Sequence, residues 1–257
     1  MKALKTNNKV YRQIVVPICN LWNSPSKNST LETQLLFGET IEILNEKKDW
    51  IYCKSLSDKY KGWIQKENLG KVTPFTHLVS HPMCHCYEKD NIKSKIVNKL
   101  FFNSRVRVIE EKKNWFVCLI NNKKNFIFKK HLANVNDRKR DWVDLALCFL
   151  NAPYMWGGKT VFGIDCSGLI QVTLNYVGVN FPRNSNEQFK FLKNQTTNQI
   201  KRGSLVFWNG HVAIGLDKEN ILHSNAHHLS VQIENFLEAK TRIDKNYGLF
   251  KGIKNIQ

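Results

Sequence analysis

The chain has 257 residues, 42% of them hydrophobic, enough to bury the cores of one to three small domains. With 39 Lys and Arg against 21 Asp and Glu the net charge is +18, a balance that suits nucleic acid, an anionic membrane or an acidic substrate, but the basic residues are scattered along the chain, which argues against a nucleic-acid-binding stripe. Seven cysteines, an odd number without compact spacing, exclude a disulfide framework and point to free thiols in a reducing compartment, most of them buried as small apolar side chains.

Met1 to Arg12 is polar and basic. The first apolar run, Ile14 to Cys19, is short and interrupted by Pro17, too little for the core of an export signal, and no stretch reaches membrane-spanning length. The expected location is therefore the cytoplasm, with no membrane insertion.

The first half repeats itself. Shifted by 65 residues, 14–53 aligns with 79–118 without a gap, placing Pro17 on Pro82, Cys19 on Cys84, Leu35 on Leu100 and Phe37 on Phe102. The stretch Glu46-Lys47-Lys48-Asp49-Trp50 falls on Glu111-Lys112-Lys113-Asn114-Trp115, and a two-residue deletion further on puts Trp63-Ile64 on Phe126-Ile127. This is a tandem duplication of a unit of about 60 residues. Each copy shows short alternating strands, such as Thr40-Ile41-Glu42-Ile43-Leu44 and Arg105-Val106-Arg107-Val108-Ile109, separated by polar turns, the pattern of a small all-β barrel. His77, His81, Cys84, His85 and Cys86 invite a zinc reading, but Cys84 answers to Cys19 and Cys86 to Leu21, where no histidines lie nearby. They read as strand positions of a duplicated fold, so no metal is expected.

Leu36-Phe37-Gly38-Glu39, Trp50 and Tyr60-Lys61-Gly62-Trp63-Ile64 together resemble bacterial SH3-like domains. The second copy replaces Gly38 and Glu39 by Asn103 and Ser104, and Tyr-x-Gly-Trp decays to Asn125-Phe126-Ile127, so it reads as a spacer. The expected boundaries are 10–72 and 73–135 for the barrels and 136–257 for a third domain.

The third domain opens on a polar link, Asn136 to Arg140, with Asp137 as the expected cap of a helix carrying Trp142, Leu145, Ala146 and Phe149. Tyr154-Met155-Trp156-Gly157-Gly158 is a glycine-broken loop. Gly163-Ile164-Asp165-Cys166-Ser167-Gly168 then runs into the apolar stretch Leu169 to Val177, which places Cys166 at the mouth of a helix, where unpaired N–H groups and the helix dipole favour a thiolate. A loop, Pro182-Arg183-Asn184-Ser185, follows. Strands are expected at Gly203 to Trp208, His211 to Leu216 and Ile221 to Ser224. A helix bearing Cys packed on an antiparallel sheet bearing His is an α+β arrangement, papain-like in logic.

A cysteine hydrolase needs a thiolate, a histidine that takes and returns the proton, and a polar group that fixes the imidazole tautomer. Cys166 supplies the first. His211 follows the Asn209-Gly210 turn and opens a strand at a sheet edge. His223 has the same parity across a short hairpin, so both rings can share one face if the register allows. His227 and His228 read as a solvated or substrate-facing edge. Tyr154, ahead of the Gly-Gly loop, points more usefully into the cleft than into a core.

These residues resemble the NlpC family of cell-wall cysteine peptidases. The resemblance covers 138–257 and rests on Pro153-Tyr154-x-Trp156-Gly157-Gly158, Asp165-Cys166-Ser167-Gly168, Pro182-Arg183-x-Ser185-x-x-Gln188, Gly203-x-Leu205-Val206-Phe207-Trp208, His211-Val212-Ala213-Ile214 and Ile221-Leu222-His223. It implies a papain-like domain that cleaves γ-D-glutamyl-diamino acid bonds in peptidoglycan peptides without a cofactor. Cys166 would be the nucleophile, His211 the base, His223 the orienting group and Tyr154 part of the oxyanion site. Two SH3-like barrels ahead of such a domain resemble the dipeptidyl-peptidase VI type, which acts on free murein peptides with an unblocked N-terminal L-Ala. By that resemblance Glu39 and Tyr60 of the first barrel, with Asp165, Ser167, Asn184 and Ser185, would bind the substrate. The position of Asn184 is often Asp in that type, and Asn pairs a charged amine less strongly. The competing expectations are an exported wall endopeptidase gripping intact peptidoglycan and a non-enzymatic wall-binding module.

Overall fold

The computed structural model describes residues 5–6, 9–138, 140–192 and 195–256. The chain divides into two compact units, 1–138 and 139–257.

The first unit holds two antiparallel sheets. In one, the strands Lys9–Ile14, Thr40–Lys47, Trp50–Ser55, Lys61–Gln65, Ile18–Trp22 and Leu31–Leu36 are neighbours in that order, and Leu69–Gly70 closes onto Lys9–Ile14. In the other, His77–Val79, Arg105–Glu111, Trp115–Ile120, Lys123–Phe128, Met83–Tyr87 and Ile96–Phe101 follow the same order, with Leu132–Asn134 beside His77–Val79. Even the irregularities repeat: register shifts fall at Ile43/Asn45 and Val108/Glu110, and at Leu21/Trp22 and Cys86/Tyr87. Equivalent bonds tie Phe37 N–H to Pro17 O (3.3 Å) and Phe102 N–H to Pro82 O (3.1 Å).

Alternation explains the cores. Ile14, Cys19, Leu21, Leu35, Ile41, Ile51, Cys53 and Ile64 form one, and Val79, Cys84, Cys86, Leu100, Val106, Cys118, Ile120 and Ile127 line the other. Each buried Ile or Leu contributes about 1.5–3 kcal/mol of apolar transfer. Cys84 and Cys86 are fillers of that second core, which is the structural basis for reading them as strand positions. Gly38 sits at φ +82°, and a Cβ there would lie 2.3 Å from Arg105 O; its counterpart Asn103 adopts φ +68°, the left-handed conformation that Asn tolerates best after Gly. This accounts for the Gly-to-Asn change between copies.

The second unit is α+β. Six antiparallel strands are ordered Thr196–Thr197, Phe250–Lys254, Leu205–Trp208, His211–Gly215, Asn220–Asn225 and Ser230–Asn235. Helices α1 (Trp142–Leu147), α2 (Cys166–Tyr176), α3 (Ser185–Phe191) and α4 (Phe236–Asn246) accompany the sheet. Helix α2 is apolar on nearly every side, with Leu169, Ile170, Val172, Leu174 and Tyr176 all buried, and it packs on the strands His211–Gly215 and Asn220–Asn225. Helix α4 covers a cluster of Val206, Trp208, Ala213, Ile221 and Ile253 with its own Ala239 and Ile243. The sheet is thus buried on both faces, which is why its middle strands read as unbroken apolar runs rather than alternating ones.

One expected boundary is corrected. Asp137 does not cap the first helix: its N–H is held by Asn134 O (3.0 Å) in a turn, and Asp141 caps α1 by accepting from Val143 N–H at 2.8 Å. An N-cap must directly precede the first helical turn, and Asp141, not Asp137, stands there. Among the described residues no helix is long and apolar enough to cross a membrane.

Candidate active site

Cys166 is the first residue of α2, and the chain enters that helix through a heavily bonded turn. Asp165 is the N-cap: its Oδ1 accepts from Gly168 N–H (2.7 Å) and its Oδ2 from Gly157 N–H (2.8 Å). The same carboxylate takes both arms of the buried Arg183 guanidinium, Nη1 to Oδ1 at 2.9 Å and Nη2 to Oδ2 at 2.5 Å. Ser167 Oγ bridges the pair, 3.3 Å from Asp165 Oδ1 and 2.9 Å from Arg183 Nη1. Gly168 allows this closeness, since a Cβ there would meet Gly158 O at 2.5 Å and Asp165 Oδ1 at 3.0 Å. Gln188 of α3 donates to Ser167 O (3.0 Å) and Pro182 O (2.9 Å), fixing the loop that carries Arg183.

A cavity of about 230 Å³ opens onto Cys166. Tyr154, His211, Asn225, His227, Arg242 and Tyr247 are among its lining residues. His211 Nε2 lies 2.8 Å from His223 Nδ1. His223 Nε2 in turn lies 2.5 Å from Glu234 Oε2, and Arg242 grips Glu234 with two bonds of 2.7 Å, Nη1 to Oε1 and Nη2 to Oε2. His228 Nε2 stands 3.1 Å from Glu234 Oε1.

The electrostatics follow from burial. Desolvation pushes the Cys166 thiol up to about 12, and the Asp165 carboxylate adds to this, while backbone N–H groups of Val212 and Ser167 and the Arg183 charge pull the other way. Burial drives His211 down to about 3, with His223 adding to the depression and Glu234 opposing it. His223 is also lowered, by burial first, against the bond to Glu234. Tyr154 is raised to about 12 by burial and by the neighbouring Cys166 and Asp165. Burial works against the Glu234 anion, yet its bonds from His223, Arg242 and His228 outweigh that and hold the carboxyl well below the usual range. Burial thus pushes the Cys166 thiol and the His211 imidazole toward their neutral forms, while the Glu234 carboxyl beyond His223 is pushed toward its anion.

A stability consequence has a definite sign. A histidine whose folded pKa is depressed contributes fully above its unfolded pKa, here 6.5, and its contribution is lost as pH falls toward the folded value, about 3 for His211. At pH 5 that one group costs the second unit about 2 kcal/mol. Denaturant unfolding at pH 7 and pH 5 should show this loss, and His211→Asn should flatten the dependence; equal stability at both pH values would show that His211 is not buried in its neutral form.

The sequence-predicted residues separate into groups. Cys166, His211 and Tyr154 share the cavity, and His223 is bonded to His211 from the next strand. Asp165 and Ser167 lie behind the nucleophile with their polar atoms engaged by Arg183 and the loop, and they are not among the cavity-lining residues. Asn184 is the N-cap residue of α3 and Ser185 its buried first residue. Glu39 and Tyr60 stand at one end of the first barrel, where Leu56 N–H is bonded to Thr40 O (3.0 Å) and Ser55 N–H to Tyr60 O (2.9 Å). Tyr60 Oη donates to Glu32 Oε2 at 2.7 Å, and Glu39 is buried.

Sequence reasoning missed Arg183, Glu234 and Arg242 as members of the site. The signal for Glu234 lay one strand further: His223 pairs with Gln232, so Glu234 is its diagonal neighbour on the same face. Arg242 is eight residues on, in a helix started by the Asn235 cap, which accepts from Leu237 and Glu238 N–H. Arg183 was visible in the sequence as part of the Pro182-Arg183-x-Ser185 motif, but its bond to Asp165 was not.

Residues 151–243 match the model of the NlpC/P60 family, and residues 21–69 match that of the bacterial dipeptidyl-peptidase Sh3 domain. The chain is similar to the gamma-D-glutamyl-L-lysine dipeptidyl-peptidase of Bacillus subtilis (strain 168), 26% identical over 228 residues, covering 80% of this chain and 76% of that protein. It is also similar to dipeptidyl-peptidase 6 of Lysinibacillus sphaericus, 23% identical, covering 82% of this chain and 86% of that one. Among solved structures, an NlpC/P60 family protein from Bacillus cereus ATCC 10987 superposes with a TM-score of 0.80 at 21% identity, covering 95% of this chain and 99% of the other, a likeness of fold.

Proposed function

We propose that this chain, whose residues 151–243 match the NlpC/P60 family model, is a cysteine peptidase of that family that hydrolyses the γ-D-glutamyl-diamino acid bond of free peptidoglycan-derived peptides. The observation that carries the reading is the meeting of Cys166, Tyr154 and His211 in one cavity, with His211 bonded through Nε2 to His223. That bond leaves Nδ1 as the ring nitrogen available to the thiol.

Cys166 Sγ attacks the γ-carbonyl carbon of D-glutamate as His211 Nδ1 takes the thiol proton. Burial pushes the thiol up and the imidazole down, which favours base-assisted attack. Negative charge builds on the carbonyl oxygen, near the α2 N-terminus and the Tyr154 phenol, which stays protonated and able to donate because its pKa is raised to about 12. The tetrahedral intermediate collapses, the amine of the diamino acid leaves with the proton from His211, and a thioester remains on Cys166. Water then attacks the thioester, His211 takes its proton and returns it to the sulfur, and L-Ala-γ-D-Glu is released.

Homology to proteins named dipeptidyl-peptidases supports a preference for peptides with a free N-terminal L-Ala, and hence a role in murein peptide recycling. Asn184 and Ser185, at the start of α3, are the residues of the second unit we assign to that end of the substrate. A cytoplasmic location is part of the same proposal, supported by free thiols that include the exposed Cys148. The test is a pair of substrates. The free tripeptide L-Ala-γ-D-Glu-diamino acid should yield the dipeptide, and its N-acetyl form should be cleaved at least about tenfold more slowly, the value of one charged contact. Equal rates would overturn the recycling assignment and favour action on wall-linked stems.

A further inference from the structure

The reacting pair leaves a second question open: what decides which nitrogen of His211 carries the proton. His223 can in principle offer either a lone pair or an N–H to His211 Nε2. The answer lies behind it. Glu234 Oε2 is 2.5 Å from His223 Nε2, and an ionised carboxylate only accepts. His223 must therefore carry its proton on Nε2, its Nδ1 must be the lone pair, and His211 must donate from Nε2. Only then is His211 Nδ1 the free base that Cys166 needs.

We propose that Glu234, clamped by Arg242, is a positioning residue that locks the tautomers of His223 and His211 and so extends the reacting pair into a chain Cys166–His211–His223–Glu234–Arg242. The clamp is specific in geometry: two parallel bonds of 2.7 Å from one guanidinium, with His228 Nε2 at 3.1 Å on the other side of Oε1. Arg242 comes from α4, so the helix that covers one face of the sheet also fixes the direction of every hydrogen bond leading to the thiol. No proton needs to leave His223 or reach Glu234 during turnover. The carboxylate sets direction and stabilises the imidazolium that His211 becomes.

Without Glu234, both tautomers of His223 become accessible. In the wrong one His223 Nδ1–H donates to His211 Nε2, His211 carries its proton on Nδ1, and that nitrogen cannot accept from Cys166. A tautomer fault of this kind lowers turnover while leaving substrate binding intact.

The titratable and charged groups around His211 are Cys166 on α2, Tyr154 and His227 at the cavity, His223 and Glu234 on the next two strands, and Arg242 on α4, with His228 acting on Glu234. Of the clamp, Glu234 favours the protonated ring and Arg242 disfavours it. The two halves of one ion pair therefore have opposite expected effects on the acid limb of kcat/KM. Glu234→Gln should move the limb to lower pH and Arg242→Gln to higher pH.

The proposal rests on Cys166 and His211 being the reacting pair, and its test is chosen to fail separately. Glu234→Gln preserves shape and should lower kcat about 10–100-fold with KM unchanged. On the substrate-free full chain, two-bond ¹H–¹⁵N correlation of labelled imidazoles should show His211 and His223 both protonated at Nε2, with a mixture in Glu234→Gln. This readout needs no turnover, so it stands even if the substrate assignment is wrong. Unchanged tautomers and unchanged kcat in a folded Glu234→Gln would overturn the proposal. So would acid limbs that move in the same direction in the two variants, the mark of a purely structural ion pair.

Discussion

Cys166→Ala should abolish peptide hydrolysis, with a fall in kcat/KM of at least about 10⁴-fold and no loss of folding. Deleting a half-reaction differs in kind from weakening a contact. Without sulfur there is no acceptor for the γ-glutamyl group, and what remains is the polarisation of the carbonyl by the α2 N-terminus and Tyr154. The substitution removes one small buried atom at the mouth of α2, next to an existing cavity, so its effect on stability should stay near 1 kcal/mol or below. Cys166→Ser is the sharper comparison. An alkoxide is harder to form than a thiolate, because a hydroxyl holds its proton more tightly than a thiol does, and the hydroxyl is the weaker nucleophile. Serine should therefore be nearly as inactive as alanine. Wild-type turnover in Cys166→Ala, measured by release of L-Ala-γ-D-Glu, would show that the cavity is not a thiol-peptidase site.

Arg183→Met should have the largest effect on stability, about 3–5 kcal/mol, lowering the melting temperature of the second unit by on the order of 10 °C or more. Arg183 is almost wholly buried, and the carboxylate it grips is itself an N-cap. Methionine fills the space but leaves the buried Asp165 carboxylate without its cation, with the Gly157 and Gly168 N–H groups and Ser167 Oγ as its remaining partners. Breaking one half of a buried pair is what costs, since the surviving charge keeps its desolvation penalty. Asp165→Asn combined with Arg183→Met should recover part of the loss, because Asn still caps a helix and carries no charge. Denaturant unfolding of the single and double variants measures both. A single variant within about 1 kcal/mol of wild type, or a double variant worse than the sum of the two changes, would remove the ion pair from its place as the clasp of the Cys166 turn.

What could be read in the sequence, and what could not, divides along a physical line. Local rules carried far. The helix mouth at Cys166 was legible because capping, glycine turns and apolar periodicity act within a few residues. The duplicated barrels were legible because a shifted alignment needs no structure, and the repeated bulges follow the same residues. The parity of His211 and His223 pointed to a shared face, and their rings do meet at 2.8 Å. The misses lie where a contact depends on packing between distant segments. Arg183 reaches Asp165 from 18 residues away across a loop. Glu234 reaches His223 through a strand register, and Arg242 reaches Glu234 from a helix whose orientation only the core determines. Asp165 and Ser167 take part in the same distant contact, both bonding to Arg183 across the loop.

In the proposed mechanism Cys166, with His211 as base and a hydrogen-bond chain behind it fixed by Glu234 and Arg242, attacks a γ-glutamyl carbonyl. The most direct test is to mix enzyme with the free tripeptide, quench in acid within the first turnovers and map the adduct by mass spectrometry. A mass increase equal to an L-Ala-γ-D-Glu acyl group, confined to the peptide that contains Cys166 and absent after hydroxylamine, is the predicted result. Product formation with no acyl group on Cys166 at any quench time, or an acyl group on another residue, would contradict it.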